Sequence, residues 1–180
     1  MKKLIFILVV TFVLEGCASF NAPHYAISAD NVDAIRSTFG TSSGKKVNVG
    51  EFTSENSGKS TLWCRGAPSI KAPSGEPFVD YVQKAFIDEL RVAEVYSKDA
   101  HLTIKGHLKE FDFNSHFGTW TLALVVSSNT NQSFTVEENY DYSTSFFGSI
   151  ACHRAAQALS PAIQNLIKKV VSHPSFKQML

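Results

Sequence analysis

The chain is short of charge, of cysteine and of long apolar runs. Asp, Glu, Lys and Arg make up 18% of its 180 residues, and the 17 basic residues nearly balance the 16 acidic ones. That leaves no basic stripe of the kind a nucleic-acid partner requires. The longest apolar stretch, Leu4 to Leu14, holds 11 residues and is interrupted by Thr11. A helix crossing a bilayer needs about 20 such residues. Signatures of catalysis are missing as well. Gly58-Lys59-Ser60 looks like the tail of a phosphate loop, but the glycine required five places earlier is Thr53, so no nucleotide is expected. Cys152 and His153 adjoin, and neighbours on a helix do not face one another. His101 and His107 share a strand face without a ligand cluster around them. No nucleophile elbow is present. The expectation is a protein that is not an enzyme, with no catalytic, cofactor-binding or metal-binding residues.

What is present begins at residue 1. Lys2 and Lys3 precede the 11-residue apolar run, which suits the charged and hydrophobic regions of a signal peptide spanning residues 1–16. The run ends in Leu14-Glu15-Gly16-Cys17, which resembles the lipobox of bacterial lipoproteins, with an aliphatic residue at −3, a small one at −1 and then cysteine. Glu15 departs from that pattern, whose −2 position is usually small and neutral. The resemblance implies that Cys17 is acylated after cleavage and becomes the membrane anchor. Ala18 and Ser19 follow it, with none of the aspartate that often retains such proteins at the inner membrane, so the expected location is the cell outer membrane, facing the periplasm. Removing Lys2, Lys3 and Glu15 leaves a mature chain of zero net charge.

Cys64 and Cys152 then form an even pair in an exported chain, where oxidation is permitted. They are expected to form a disulfide; two separate buried thiols are the alternative. Residues 17–45 read as a lipidated tether with a short helix that Ser28 caps and Gly40 ends. Residues 46–180 read as a single α+β domain. Val47 to Thr53 is a strand of imperfect phase, and Ser54 to Gly75 a long loop. Residues 76–96 form the clearest helix, capped by Ser74 or Gly75, with Pro77 in its first turn.

Three strands follow as a meander. Leu102, Ile104 and Leu108 face one way, whereas Phe111 and Phe113 have the opposite parity, so a bulge is expected near Lys109-Glu110. Trp120, Leu122, Leu124 and Val126 line one face of the next strand. Phe134, Val136, Tyr140 and Tyr142 line the last, with Glu138 the exception. Trp120, Tyr140 and Tyr142 are expected in the core. The closing helix, residues 149–172, contains Pro161, where a kink or restart is expected. The fold class is α+β: a two-layer β-α-β-β-β-α arrangement with a four-stranded mixed sheet and helices on one face.

Pro73, Gly75, Phe78, Tyr81, Ala85, Glu89 and Leu90 form a turn and helix that resemble those of the YajG-like bacterial lipoproteins, a family of unknown activity. The likeness spans residues 46 to 173. The element order is also similar to that of the lipoprotein that plugs the lipopolysaccharide export barrel, an analogy of fold only. These resemblances supply no catalytic residues. With no catalytic motif left after weighing, the expected function is a membrane-anchored binding or scaffolding component of the cell envelope. Its partners would be the membrane, through acylated Cys17, and another envelope protein. The alternative is a carrier or assembly factor for lipid or lipopolysaccharide. Candidate partner-binding residues are Trp63 and Arg65 in the long loop and Phe146 and Phe147 before the last helix; Trp and Arg are enriched at binding hot spots.

Overall fold

The computed structural model describes residues 19–40, 44–56, 58–66 and 69–180. The expected signal peptide and Cys17 lie outside them. Within them the chain forms a mixed four-stranded sheet with helices packed on one face, as the α+β reading requires. The order is β2-β5-β6-β7, where β2 is Asn48–Ser54, β5 Thr103–Asn114, β6 Thr119–Ser128 and β7 Ser133–Asp141. β2 and β5 run parallel, and the other pairs are antiparallel.

Period-two patterning sets the buried face, and two bulges correct its phase. On β5, Leu108 pairs with Leu124 and Glu110 with Ala123, so Lys109 is the extra residue, which turns Phe111 inward against Phe78 and Trp120. On β2 a second irregularity between Val49 and Phe52 lets Val47, Val49 and Phe52 all be buried. Gly106 makes room for that turn. A Cβ there would stand 2.7 Å from the Phe52 ring, nearer than side chains pack. Trp120 is fully buried and donates its indole N–H to the carbonyl of Ala155 at 2.8 Å. Glu138 has core parity yet carries charge; Lys169 lies 2.6 Å from its Oε2, and Asn165 donates to Oε1 at 3.2 Å. The opposite face carries Lys105, Thr121, Thr135, Glu137 and Asn139 and is wet.

Both edges of this sheet are blunted. The Gln83 side chain donates to the carbonyl of Gly50 at 3.0 Å and accepts from the N–H of Phe52 at 3.3 Å, occupying β2 backbone at its bulge. Val47 is flanked by Val95 and Ser97. On β7, Lys169 donates to the carbonyl of Glu137 at 2.8 Å. An edge whose backbone groups are already engaged is a poor template for another strand.

The long central helix α2 is shorter than its pattern predicts, Phe78–Val92. Pro77 occupies the N-cap position itself, without a side-chain cap, in place of Ser74 or Gly75. At the other end Val95 N–H bonds the carbonyl of Leu90 and Glu94 N–H that of Arg91, with Glu94 at φ 65. This is a Schellman closure, and it frees residues 95–97 to run beside Val47.

The stretch expected as a tether belongs to the domain from its first described residues. Helix α1, Ala29–Phe39, is capped by Ser28 and ended by Gly40, and it buries Val32, Ile35 and Phe39 against the core. Its approach is fixed by Glu89 of α2, which is fully buried. Glu89 Oε1 accepts from Tyr25 Oη at 2.6 Å, Ser28 N at 3.0 Å and Asn31 Nδ2 at 3.3 Å. Burial first, then the hydrogen bond to Glu89, raise the Tyr25 phenol above the ordinary tyrosine range. Ahead of it, β1 (Phe20–Asn21) joins a second, three-stranded sheet in the order β1-β4-β3, with β3 at Thr61–Leu62 and β4 at Ile70–Lys71. β3 and β4 lie within what reads in sequence as one long loop, and β1 within the expected tether.

The last long helix, α3 (Gly148–Ser172), continues through Pro161 without a restart. Its buried stripe, Ala155, Leu159, Ile163, Leu166 and Val170, is unbroken across the proline, so packing outweighs the lost backbone bond. A short α4, Pro174–Met179, then places Phe176 in the core, 6.2 Å from the Phe39 ring and 6.4 Å from that of Phe86.

Candidate functional site: an aromatic end built from three loops

Three loops meet at one end of the main sheet. Trp63 to Ser69 connects β3 to β4, Ser115 to Gly118 turns β5 into β6, and Tyr142 to Phe147 leads from β7 into α3. Cys64 and Cys152 form a disulfide, with Cα atoms 5.8 Å apart, joining the first loop to α3. Arg65 and Gly66 then both take left-handed backbone, at φ 47 and 75. For a non-glycine residue that conformation costs about 1–2 kcal/mol, and surrounding contacts must hold it. Those contacts are the guanidinium's own. Nε donates to Ser115 Oγ at 3.2 Å, Nη2 to the Ser115 carbonyl at 2.6 Å and Nη1 to the Phe146 carbonyl at 2.9 Å.

Further bonds complete the joint. Thr144 Oγ1 also donates to the Ser115 carbonyl, and Arg154 donates to the Thr144 carbonyl at 2.6 Å. Asn114 Oδ1 accepts from the backbone of His116 and Phe117, shaping the hairpin tip. Gly118, at φ 77, bonds the backbone of Tyr142; a Cβ on it would lie 2.2 Å from the Tyr142 carbonyl oxygen. Burial pushes the Tyr142 phenol up to about 12, with the Arg65 charge acting in the opposite direction.

The polar side chains here are thus engaged in holding the loops, and the rings point outward. Phe146 is 93% exposed, Phe117 81%, Trp63 75%, Phe147 66% and Ile150 43%. Of these rings, Phe146 and Phe147 lie against each other, with centroids 6.0 Å apart. Of the four residues singled out in the sequence, Trp63, Phe146 and Phe147 are exposed, and Arg65 is the clasp between their loops. Sequence reasoning missed Phe117, Ile150 and Ser115. The Asn-Ser-His-Phe-Gly turn between two strands was a usable signal for Phe117; Ser115 had none, because its role arises from Arg65, fifty residues earlier.

The other candidate chemistry lies elsewhere. His107 faces Thr53 on the wet side of the sheet, 2.9 Å from its hydroxyl. Among the described residues no group of three or more His, Cys, Asp or Glu is arranged to hold a metal ion, and no helix is long and apolar enough to cross a membrane.

No family model and no curated protein matches the chain. Among solved structures it is similar to a protein of Xanthomonas campestris whose crystal structure is described under the uncharacterised family DUF330. That likeness covers 71% of this chain and 84% of the other, with a TM-score of 0.51 and 10% identity. At that identity the two share a fold.

Proposed function

We propose that this protein is a lipid-anchored binding component of the bacterial cell envelope. In this reading acylated Cys17 holds it to the outer membrane on the periplasmic side, and it works by contact and catalyses nothing. Kinship with the YajG-like lipoproteins, read from Pro73 to Leu90, belongs to the same proposal. The observation that carries it is the aromatic end: a disulfide and an arginine clasp hold the loops that carry four exposed aromatic rings. Loops ordered in this way lose less backbone freedom on binding. Strand addition is a weaker mode at β2, whose bulge backbone Gln83 already engages. The carrier reading has less in its favour. The cleft beside Arg36, Lys46 and Glu94 has a volume of about 280 Å³, and its charged groups alternate with Phe39, Ala93 and Val95, a mixed lining that suits an acyl chain poorly.

The test has two parts. Acyl labelling of the native chain, with Cys17→Ala as control, reads the anchor; the variant should remain a full-length, unlabelled precursor. A photoreactive residue at position 146, activated in intact envelopes, reads the binding surface and should crosslink to an envelope component. Labelling that persists in Cys17→Ala, an uncrosslinked position 146, or turnover of an envelope substrate by the purified protein would defeat the proposal.

A further inference from the structure

We infer that the aromatic end is the surface laid against the bilayer itself, with Trp63, Phe117, Phe146, Phe147 and Ile150 entering the layer of phospholipid headgroups. This rests on the reading of Cys17 as the lipid anchor and names what its aromatic end touches.

The strand order places the anchor. β1 runs parallel to β4, and β3 runs antiparallel to it, with Phe20 and Leu62 both in register with Ile70. The chain therefore enters β1 at the same end of this small sheet at which it leaves β3, and the residue leaving β3 is Trp63. The N–H of Phe20 bonds the carbonyl of Ser69 at 3.0 Å at this same end, and its ring lies 6.1 Å from that of His153 in α3. With strands about 4.8 Å apart, Phe20 and Leu62 stand about 10 Å from each other. Cys17 precedes Phe20 by three residues, which span at most about 11 Å fully extended. Wherever those residues run, an acylated Cys17 stays within about 11 Å of Phe20 and so within about 20 Å of Leu62, which brings the membrane to this end.

The chemistry of the end suits a headgroup layer. No Asp or Glu occurs in residues 61–75, 115–118 or 142–172, whereas Arg65, Lys71, Arg154, His116 and His153 do. Tryptophan, with its apolar body and polar N–H, favours the membrane interface, and basic residues nearby favour anionic lipid. Amphipathic surfaces sit about 5–10 Å into this boundary, a depth the short tether permits. A protein partner would have to occupy the same end within reach of the bilayer, which the tether length opposes.

The experiment uses the full acylated protein reconstituted into phosphatidylethanolamine–phosphatidylglycerol vesicles. A Trp120→Phe variant, checked by circular dichroism, leaves Trp63 as the only emitter, since the chain has two tryptophans. If Trp120→Phe does not fold, Trp63→Phe read by difference against the native protein serves instead. Trp63 emission should shift to the blue and be quenched about twofold by lipids brominated near the headgroup, the depth at which interfacial tryptophan sits. Phe146→Ser with Phe147→Ser should reduce that quenching. Protein that floats with the vesicles while Trp63 keeps solvent-like, unquenched emission overturns the inference and leaves the anchor standing. So does crosslinking of position 146 to protein alone in envelopes. A chain that carries no acyl group and does not float overturns both.

Discussion

The two ends of the main sheet are tied in the same way and present opposite surfaces. At the end where β5 begins, Asn129 donates to the carbonyl of His101 at 2.7 Å and accepts from the N–H of Thr103 at 3.0 Å, linking two loops. At the other end Arg65 does the same for Ser115 and Phe146. Around Asn129 the outward residues are Asn, Thr, Gln, Lys and Asp; around Arg65 they are Trp, Phe and Ile. Loop ordering alone therefore says nothing of function, because both ends have it. What differs is what the ordered loops carry, and the aromatic end has in addition a disulfide and two positive backbone angles in succession. Those additional ties order the backbone that carries the exposed rings.

The most disruptive way to break the comparison is to remove the covalent tie. Cys64→Ser with Cys152→Ser should cost about 4 kcal/mol, as expected for a closed loop of this length, measured by chemical denaturation. Hydrogen exchange should show the loss concentrated in loops 63–66 and 142–147, with 129–132 unchanged. Equal loosening of both ends would mean that the disulfide supports the whole fold and not this end.

Gly118→Ala comes next. It adds a methyl 2.2 Å from the Tyr142 carbonyl at a residue with φ 77. Strain and clash together predict a loss of about 2–3 kcal/mol. A drop under about 0.5 kcal/mol, the range of an indifferent surface change, would show that the hairpin tip yields freely.

The two polar clasps can then be set against each other. Arg65→Ala removes three charge-assisted donors and should cost about 2 kcal/mol, while Asn129→Ala removes a neutral pair and should cost about 1. The reverse order would move the more demanding joint to the polar end.

A pH series sharpens the same contrast. The Tyr142 phenol titrates near 12 in the folded chain and near 10 when unfolded. The stability gained by keeping it protonated is complete below pH 10 and lost between about pH 10 and 12. Tyr142→Phe should flatten that part of the stability–pH curve, leaving the portion due to Tyr25 and Tyr81, whose phenols burial also raises. An unchanged curve would mean that Tyr142 meets water. The smallest expected effect on stability belongs to Phe146→Ser with Phe147→Ser, within about 0.5 kcal/mol because both rings are exposed. Under the proposed function the same variant should weaken crosslinking at this end in envelopes, and that separation of stability from binding is what a recognition surface predicts.

Sequence pattern alone determined the main sheet and its helices. Side chains on a strand alternate strictly, so the parity flip between Leu108 and Phe111 located the bulge at Lys109, and the uneven phase of Val47 to Phe52 recorded another. Tertiary structure decided what had no local period. Strands of two residues are too short to show alternation, so the small sheet exists only because Phe20 and Leu62 both meet Ile70. Pro161 signalled a restart that the buried stripe of α3 overrode. Glu89 stood out in sequence only as part of the family-like turn and helix; its burial as the acceptor for Tyr25, Ser28 and Asn31, which fixes the expected tether to the core, is a tertiary fact. Trp63 and Phe146 could be noticed one by one in the sequence. That they share a surface follows from Arg65, whose donors bridge residues 50 and 81 positions away, a contact that only the closed fold brings within reach.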